Sequence, residues 1–301
     1  MSFLQIENAT KRFAPSGGMF ARGGEPVVAV GGVDLTLARG DKLGVVGESG
    51  SGKTTLGRIV TGLHRPDEGR VLLDGLDVHT AAGEQKKNLR RRTQMIFQDN
   101  AGALDPRLRI GKAIAEPLCV HGIGANAAQR RQLVAMWLDK VGLDTSLLRR
   151  FPHELSGGQR QRVGIARALI VEPDLLIADE PVASLDVSIQ TQILELLADL
   201  VRETGVTLFF ISHDLRVVRA LTRRVLVMYK GRPVEMGPTE DVIRNPLHPY
   251  TRLLIAAIPA LHPKDRRLLD ITPDEQDHTA QWFTAGVRWH EVEPGRFVLA
   301  C

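Results

Sequence analysis

The sequence has few cysteines and no long apolar run, and each shortage excludes a class of protein. Its two cysteines, Cys119 and Cys301, are too few for a disulfide framework or a four-thiolate metal site. No apolar stretch reaches the ~18–20 residues that a membrane-spanning helix needs. The longest candidate, Leu253–Leu261, is about half as long and contains Pro259. The first residues lack the basic-then-apolar order of a signal peptide. We therefore expect a cytoplasmic, water-soluble chain that meets a membrane only through a partner.

Excess charge of one sign is also scarce. The 301 residues carry 39 Lys and Arg against 35 Asp and Glu, a formal charge of +4, and the acidic residues are interspersed throughout. A pI near 9.3 therefore does not indicate the clustered basic surface of a nucleic-acid-binding protein, and we predict no nucleic-acid partner. The composition, with 43% hydrophobic and 5% aromatic residues, is that of a folded globular protein.

Short apolar runs alternate with segments of helical periodicity, which predicts an α/β fold with a largely parallel sheet and right-handed crossovers. A Gly/Pro-rich loop is predicted at Ala14–Pro26, and from about Thr239 the pattern weakens into a C-terminal appendage. The predicted strands are Leu4–Glu7, Val33–Leu37, Lys42–Val46, Val71–Leu73, Met95–Phe97, Leu175–Ala178, Leu208–Ile211 and Val225–Met228. The predicted helices are Thr54–Leu63, Ile110–Leu118, Gln129–Val141, Gln159–Val171, Ile189–Glu203 and Leu215–Ala220.

A phosphate-binding loop is predicted where the strand at Lys42–Val46 ends. The eight residues that follow match G-x-x-x-x-G-K-[ST] between a strand and a helix. They are Gly47, Glu48, Ser49, Gly50, Ser51, Gly52, Lys53 and Thr54. The glycines let backbone N–H groups converge on phosphate oxygens, and the helix N-terminus adds a favourable dipole. In this prediction, Lys53 neutralises the β- and γ-phosphates and the Thr54 hydroxyl binds Mg²⁺. The alternative is a Gly/Ser-rich turn with an incidental lysine.

Two acids end the apolar run Leu175–Ala178. Charges at the tip of a buried strand are expected to face a site, so Asp179 is a candidate ligand for Mg²⁺, and Glu180 a candidate base for the attacking water. Acidic residues are common at strand ends, so this pair alone is a weak signal. The phosphate loop in the same chain favours the interpretation that the two acids belong to a nucleotide site.

A second anion-binding helix start is predicted at Leu155, Ser156, Gly157, Gly158 and Gln159. Ser156 occupies an N-cap position, and the two glycines allow close backbone approach. One nucleotide needs only one such loop, so we expect a dimer in which this segment of each chain closes over the nucleotide of its partner. Taken alone, the stretch is also consistent with a plain capped helix.

The phosphate loop, the helix start at Leu155–Gln159 and the acidic strand end follow one another in the order found in the nucleotide-binding subunit of an ABC transporter. The chain resembles that subunit over about residues 3–240. The resemblance implies a P-loop NTPase (RecA-like) core with an antiparallel β edge and an inserted helical subdomain. It divides the chain into core residues 1–88 and 166–240, a helical subdomain at 89–165, and a C-terminal extension at 241–301.

The resemblance also implies further site residues. Gln98 corresponds to the Q-loop glutamine, which contacts Mg²⁺ and the attacking water. His213 corresponds to the switch histidine beside the γ-phosphate, although a lone histidine after a strand is usually structural. Phe13 corresponds to the aromatic residue that stacks on adenine, with Phe20 and a core role for Phe13 as alternatives. Thr55 joins the ATP-binding set, and the D-loop at the dimer interface corresponds to Ser184, Leu185 and Asp186.

Three segments, Gln98–Arg109, Glu180–Gln190 and Asn245–Thr251, resemble the oligopeptide/dipeptide group of importers, as does the ending Gly295–Cys301. That group handles peptides, nickel, glutathione and opines. Some members bind an iron–sulfur cluster through cysteines of the extension; here only Cys301 lies there, so we predict no cluster. The order Ala183-Ser184 is reversed in many relatives, and we expect no consequence.

The implied function is an ATPase that powers an importer, with ATP and Mg²⁺ as cofactors and ATP held between two subunits. The implied partners are two transmembrane permease subunits, a second identical or homologous ATPase subunit and, indirectly, an extracytoplasmic substrate-binding protein. The expected location is the cytoplasmic face of the inner membrane, through the permeases. Two alternatives are a non-transport accessory module of the carbon–phosphorus-lyase kind and a nucleic-acid-linked ABC ATPase. The helix start at Leu155–Gln159, which corresponds to the signature segment of the family, disfavours a simple P-loop kinase.

Overall fold

The computed structural model describes residues 2–14, 26–98, 102, 104–257 and 288–300. The strands are β1 Leu4–Phe13, β2 Val27–Leu37, β3 Lys42–Val46, β4 Glu68–Leu73, β5 Leu76–Asp77, β6 Thr93–Ile96, β7 Leu175–Asp179, β8 Thr207–Ser212, β9 Arg224–Tyr229, β10 Arg232–Pro238, β11 Arg288–Glu293 and β12 Arg296–Ala300. The helices are α1 Lys53–Val60, α2 Gly83–Arg92, α3 Ile110–His121, α4 Ala127–Lys140, α5 Gly157–Leu169, α6 Val187–Thr204, α7 Leu215–Leu221, α8 Thr239–Arg244 and α9 Pro249–Ala256. Short 3₁₀ helices cover Thr145–Arg149 and Pro152–Glu154.

The chain divides into two compact units. The first unit contains Ala38–Asp41 and Leu76–Phe209, and the second contains Ser2–Leu37, Lys42–Gly75 and Phe210–Cys301. Most of the predicted loop at Ala14–Pro26, together with Phe20 and Cys301, lies outside the described residues.

In the second unit, β1 lies between β2 and β4 and is antiparallel to both. Leu4 sits opposite Leu37 on one side and Leu73 on the other. These three leucines are at most 1% exposed, because alternate side chains of a strand share one face, and here that face is buried. β1 continues to Phe13, beyond the predicted end at Glu7, and its pairing register with β2 shifts after Ile6, near the left-handed Asn8.

The second sheet of this unit has the order β11-β12-β10-β9-β3. The buried strand β3 is parallel to β9, and the remaining pairs are antiparallel. Gly44 in β3 lets α7 pack directly on the sheet, since a Cβ at Gly44 would lie 2.2 Å from the Cγ1 atom of Val218. The phosphate loop therefore leaves a strand that is closely packed on its helix side.

The first unit contains parallel strands and most of the long helices. β6 pairs in parallel with β7. The helices predicted at Ile110–Leu118 and Gln129–Val141 are confirmed as elements. α3 ends at His121, followed by the left-handed Gly122, and α4 begins after Asn126, whose side chain accepts a hydrogen bond from the Gln129 N–H at 2.9 Å.

The sequence-based strands and helices are confirmed as elements, but not all of their bounds are right. The first helix ends at Val60, not Leu63, because Gly62 adopts a positive φ of 75°. Strand β10 and the β11–β12 pair were not predicted at all. They place Glu235 opposite Val298, so residues 288–300 extend the sheet of the second unit. The boundary drawn at residue 240 stays a prediction.

Candidate functional site

The predicted phosphate loop joins β3 to α1 in the second unit. Lys53, the first residue of α1, is only 3% exposed. Its ammonium donates to the carbonyl oxygens of Gly47 and Glu48, both at 2.7 Å, and lies 3.4 Å from the Ser51 hydroxyl. A buried ammonium needs such partners to offset the loss of hydration. The loop thus fixes a buried positive charge among backbone carbonyl dipoles.

Two glycines of this loop are required by close backbone contacts. A Cβ at Gly47, whose φ is 148°, would lie 2.1 Å from the carbonyl oxygen of Met228. A Cβ at Gly52, whose φ is 99°, would lie 2.1 Å from the carbonyl oxygen of Ala29. Neither position accepts a side chain, and neither φ suits an L-residue. The loop is therefore fixed against the backbone of its own unit.

The N-terminus of α1 has the properties of an anion site. Gly52 occupies the N-cap and has no side chain with which to cap the first-turn N–H groups, and the first turn carries no acidic residue. Thr54 and Thr55 follow Lys53 in this turn and are half-buried. Helix N-termini carry partial positive charge from these N–H groups, so anions are favoured there.

In the first unit, β7 ends at the two candidate carboxylates. All five residues of β7 are buried, and Asp179 is 2% exposed. Glu180 follows with a left-handed φ of 44°, a conformation that is uncommon outside glycine and is found at functional sites. The Gln98 Nε2 atom donates to Glu180 Oε2 at 3.3 Å across 82 residues of sequence. The fold thus brings two of the predicted site residues, Gln98 and Glu180, into hydrogen-bonding contact.

The signature segment also begins a helix as expected. Ser156 Oγ accepts from the Gln159 N–H at 3.3 Å, and Gln159 Oε1 accepts from the Ser156 N–H at 3.0 Å, which is a reciprocal capping box. Leu155, 4% exposed, anchors this turn. Ser156 and Gly157 are exposed, so the start of α5 is open to a ligand or a partner.

The glycines of the signature segment have a packing role that the sequence did not reveal. A Cβ at Gly157 would lie 3.2 Å from Leu185 Cδ2, and one at Gly158 would lie 2.8 Å from Ile189 Cγ2. Small residues there let the predicted D-loop, Ser184 to Asp186, and the start of α6 pack against the start of α5. Two of the predicted dimer-facing segments are therefore in contact within one unit.

His213 lies in the turn between β8 and α7 of the second unit and is exposed. The neighbouring Asp214 caps α7 by accepting from the Arg216 N–H at 2.9 Å and pairs with the Arg216 guanidinium at 2.7 Å. Burial alone would raise the pKa of Asp214, but the hydrogen bonds and charge of Arg216 outweigh burial and hold that pKa below its ordinary value. An ionised Asp214 therefore fixes the turn that presents His213.

Phe13, the predicted adenine-stacking residue, lies at the end of β1 and is 38% exposed, so it is not a core residue. Its ring meets the His64 ring edge-on, with centroids 5.7 Å apart, and the Lys11 ammonium lies 5.7 Å from its centroid. Partial burial and the charges of Arg58 and Lys11 lower the pKa of His64, which favours its neutral form. Phe13 is thus accessible for stacking.

One contact of the phosphate loop was missed by the sequence reasoning. The Tyr250 hydroxyl accepts a hydrogen bond from the Glu48 N–H at 2.9 Å, and Tyr250 is 2% exposed. Tyr250 belongs to Asn245–Thr251, which served above only to indicate a subgroup. No sequence pattern links a His-Pro-Tyr segment after a short helix to a phosphate loop. Only the tertiary structure reveals the contact between Tyr250 and Glu48.

Comparison with solved structures defines the class. The chain is similar, with a TM-score of 0.68 and 30% sequence identity, to the dimeric ATP-binding cassette MJ0796 in a post-hydrolysis state bound to ADP and Pi. That match covers 78% of this chain and 98% of the other. The fold class predicted from the sequence, a P-loop NTPase of mixed α/β type, is confirmed.

Sequence comparison defines the family. Residues 30–183 match the family described as ABC transporter, and residues 234–287 match the oligopeptide/dipeptide transporter C-terminal region. The chain therefore belongs to the ABC transporter family as an ATP-binding cassette, and it carries the C-terminal region of the oligopeptide/dipeptide group.

Two relatives illustrate the similarity. A glutathione import ATP-binding protein, GsiA of Pectobacterium atrosepticum, is 47% identical over 88% of this chain, which spans 42% of that relative's length. A Brucella ovis protein named for peptide import is 49% identical over 78% of this chain, which spans 74% of that relative. The chain thus covers less than half of the first relative and about three quarters of the second. Among the described residues, no helix combines the length and apolarity needed to cross a bilayer.

Proposed function

We propose that this chain binds and hydrolyses ATP to power an importer of peptides or a related small solute. The observation that carries the proposal is the Gln98–Glu180 hydrogen bond, because it orients a carboxylate at the tip of β7 where a water-activating base is needed. The buried Lys53 in its loop supports triphosphate binding. The import role and the solute class are supported by the names of the relatives and by the C-terminal region that matches at 234–287.

The residues present suit Mg²⁺ as a cofactor. The Thr54 hydroxyl, the Gln98 amide oxygen and the Asp179 carboxylate are the hard oxygen donors that Mg²⁺ prefers. When bound, Mg²⁺ would neutralise charge on the β- and γ-phosphates. Lys53 adds a fixed positive charge toward the same phosphates, and Glu180 accepts a proton from the attacking water.

The exposed start of α5 supports a shared nucleotide site. Ser156 and the glycines after it form a capped, positively polarised helix end with no acidic residue in its first turn. We propose that this end closes over the nucleotide bound by Gly47–Thr54 of a second ATPase subunit, identical or homologous. Two transmembrane permeases, contacted through the helical part at 104–141, and a substrate-binding protein complete the proposed assembly, at the cytoplasmic face of the inner membrane.

The test compares Glu180→Gln with Glu172→Gln. Glu172 is a suitable control because it is an exposed glutamate of the same unit with a similar left-handed φ of 52°. Glu180→Gln is expected to keep ATP binding and to lower the rate of phosphate release by about 10²–10⁴-fold, while Glu172→Gln retains the wild-type rate. Wild-type hydrolysis by Glu180→Gln would show that another group is the base.

A second variant tests the shared site. Ser156→Arg adds bulk and charge at the start of α5, and we expect it to prevent ATP-dependent dimerisation while single subunits still bind ATP. The measurement is the molecular mass in solution with and without ATP, in the Glu180→Gln background so that ATP persists. ATP-dependent dimers of the double variant would contradict the shared arrangement.

A further inference from the structure

Tyr250 joins the C-terminal part of the second unit to the phosphate loop. Its hydroxyl oxygen accepts the Glu48 N–H at 2.9 Å although 202 residues separate the two in sequence. Burial raises the pKa of Tyr250 above its ordinary value, so the phenol stays neutral throughout the physiological range. The hydroxyl is therefore a stable acceptor for the loop amide.

The amide that Tyr250 binds belongs to the same peptide group as the Gly47 carbonyl. That carbonyl oxygen accepts a hydrogen bond from the Lys53 ammonium at 2.7 Å. Because a peptide group is planar, fixing the N–H also fixes the direction of the carbonyl on its other side. Hydrogen bonds at the two ends of one peptide polarise each other in the same sense. Tyr250 thus acts on Lys53 through one peptide group, without touching it.

The position of Tyr250 is itself closely determined. Its ring lies against the Tyr229 ring, with centroids 4.2 Å apart, and its N–H donates to His248 Nδ1 at 3.1 Å. The carboxylate of Glu235, in β10, accepts from the N–H groups of Leu247 at 3.1 Å and His248 at 3.0 Å. A buried carboxylate on a sheet strand therefore fixes the turn that leads into α9.

The C-terminal strand pair completes this connection. Arg296, in β12, forms an ion pair with Glu235 at 3.4 Å, and the two side chains are 5% and 0% exposed. The same guanidinium donates to the Asn245 carbonyl oxygen. Polar contacts thus run from β12 through β10 and the 245–250 turn to the phosphate loop.

We propose that Tyr250 is a positioning residue for Lys53, through which the C-terminal region sets the affinity of the phosphate loop for a nucleoside triphosphate. The inference rests on the proposed function, because it assumes that Gly47–Thr54 binds ATP. It goes further by assigning to the 245–250 turn a role within the ATP site of its own chain.

The experiment removes one oxygen atom. Tyr250→Phe in the full chain keeps the buried ring and deletes the acceptor, and Tyr229→Phe is the matched control because it removes a hydroxyl from the adjacent ring. Binding of a fluorescent ATP analogue with Mg²⁺ is expected to weaken about five- to tenfold in Tyr250→Phe, as for loss of one hydrogen bond to an otherwise unsatisfied amide. Tyr229→Phe is expected to match wild type.

Kinetics separate positioning from a general structural defect. For Tyr250→Phe, KM for ATP is expected to rise by the same factor while kcat stays within about twofold, because the contact acts on binding and not on Glu180. Binding of a fluorescent adenosine analogue without phosphates is expected to be unchanged. Equal loss for both analogues, a fall in kcat alone, or ATP affinity equal to that of Tyr229→Phe would overturn the inference.

Amide hydrogen exchange at Glu48 tests the contact in the wild-type protein itself, and the variant adds a comparison. The Glu48 N–H of the wild-type protein is expected to be protected, and Tyr250→Phe is expected to lose that protection. Rapid exchange at Glu48 in the wild type would overturn the inference whether or not the variant folds. A wild-type protein that does not bind ATP refutes the proposed function and this inference together, whereas normal ATP binding by Tyr250→Phe refutes this inference alone.

Discussion

Acidification is expected to loosen the turn at 245–250, because this turn contains a buried neutral histidine. His248 is 2% exposed, and its Nδ1 atom accepts the Tyr250 N–H. Burial, and secondly the charge of Arg252, lower the pKa of His248 from 6.5 to about 4. Its backbone N–H also donates to the Glu235 carboxylate. Protonating the ring in place would remove the lone pair that caps α9 and would bury a charge.

The direction of the effect follows from the two pKa values. We call the turn closed when the His248 ring is buried as in the structure, and open when the ring is exposed to water. The pKa of the ring is about 4 in the closed state and the ordinary 6.5 in the open state. Protons therefore bind the open state preferentially below pH 6.5, so the closed state is fully favoured above that pH and is lost progressively as the pH falls toward 4. Between about pH 7.5 and about pH 5 the loss is about 2 kcal/mol, approaching about 3 kcal/mol below the lower pKa.

The assay is amide hydrogen exchange of the peptide covering residues 246–257. About 2 kcal/mol corresponds to a fall of about 30-fold in protection between the two pH values, after correction for intrinsic exchange. His248→Asn retains a side-chain acceptor for the Tyr250 N–H but does not titrate, so its protection is expected to be nearly independent of pH. His290→Asn, which replaces an exposed histidine of the same unit, is the control. An equal pH dependence in His248→Asn and wild type would show that protonation of His248 does not open the turn.

Two further substitutions test the packing of the second unit, each by the free energy of unfolding in urea. Gly44→Ala is expected to cost about 1–3 kcal/mol, because the new Cβ would lie 2.2 Å from Val218 Cγ1, and unchanged stability would show that α7 can shift. Glu235→Gln is expected to cost about 3–5 kcal/mol, because it removes the buried carboxylate that pairs with the buried guanidinium of Arg296 and leaves only the exposed Glu293, at 3.9 Å, as its counter-ion. Glu203→Gln, in an exposed ion pair, is the control and is expected to cost at most about 1 kcal/mol.

Much of the candidate site could be predicted because its signals are local. The phosphate loop requires glycines at particular backbone conformations and a lysine at a helix start, and these requirements fall within eight consecutive residues. β3 was predicted with the correct bounds, since a run that is buried on both faces is continuously apolar. The Ser156 capping box is likewise complete within four residues.

Elements without an apolar signal were missed. In α2 only Leu89 is buried, so the helix shows no periodic apolar face. β10 contains Pro233, Glu235 and Gly237, which are unfavourable in strands. Glu235 is tolerated in β10 because Arg296, more than sixty residues away, neutralises it. A sequence pattern does not reveal such a partner.

The alternation of strands and helices, the phosphate loop, the carboxylates at the end of β7 and the capped start of α5 can all be derived from the amino-acid order, because each depends on backbone geometry over a few neighbouring residues. Only the tertiary structure decided which distant groups meet: Gln98 with Glu180, Gly158 with Ile189, and Tyr250 with Glu48. Contacts of this kind are fixed by the packing of whole elements, which brings together residues that no local pattern links.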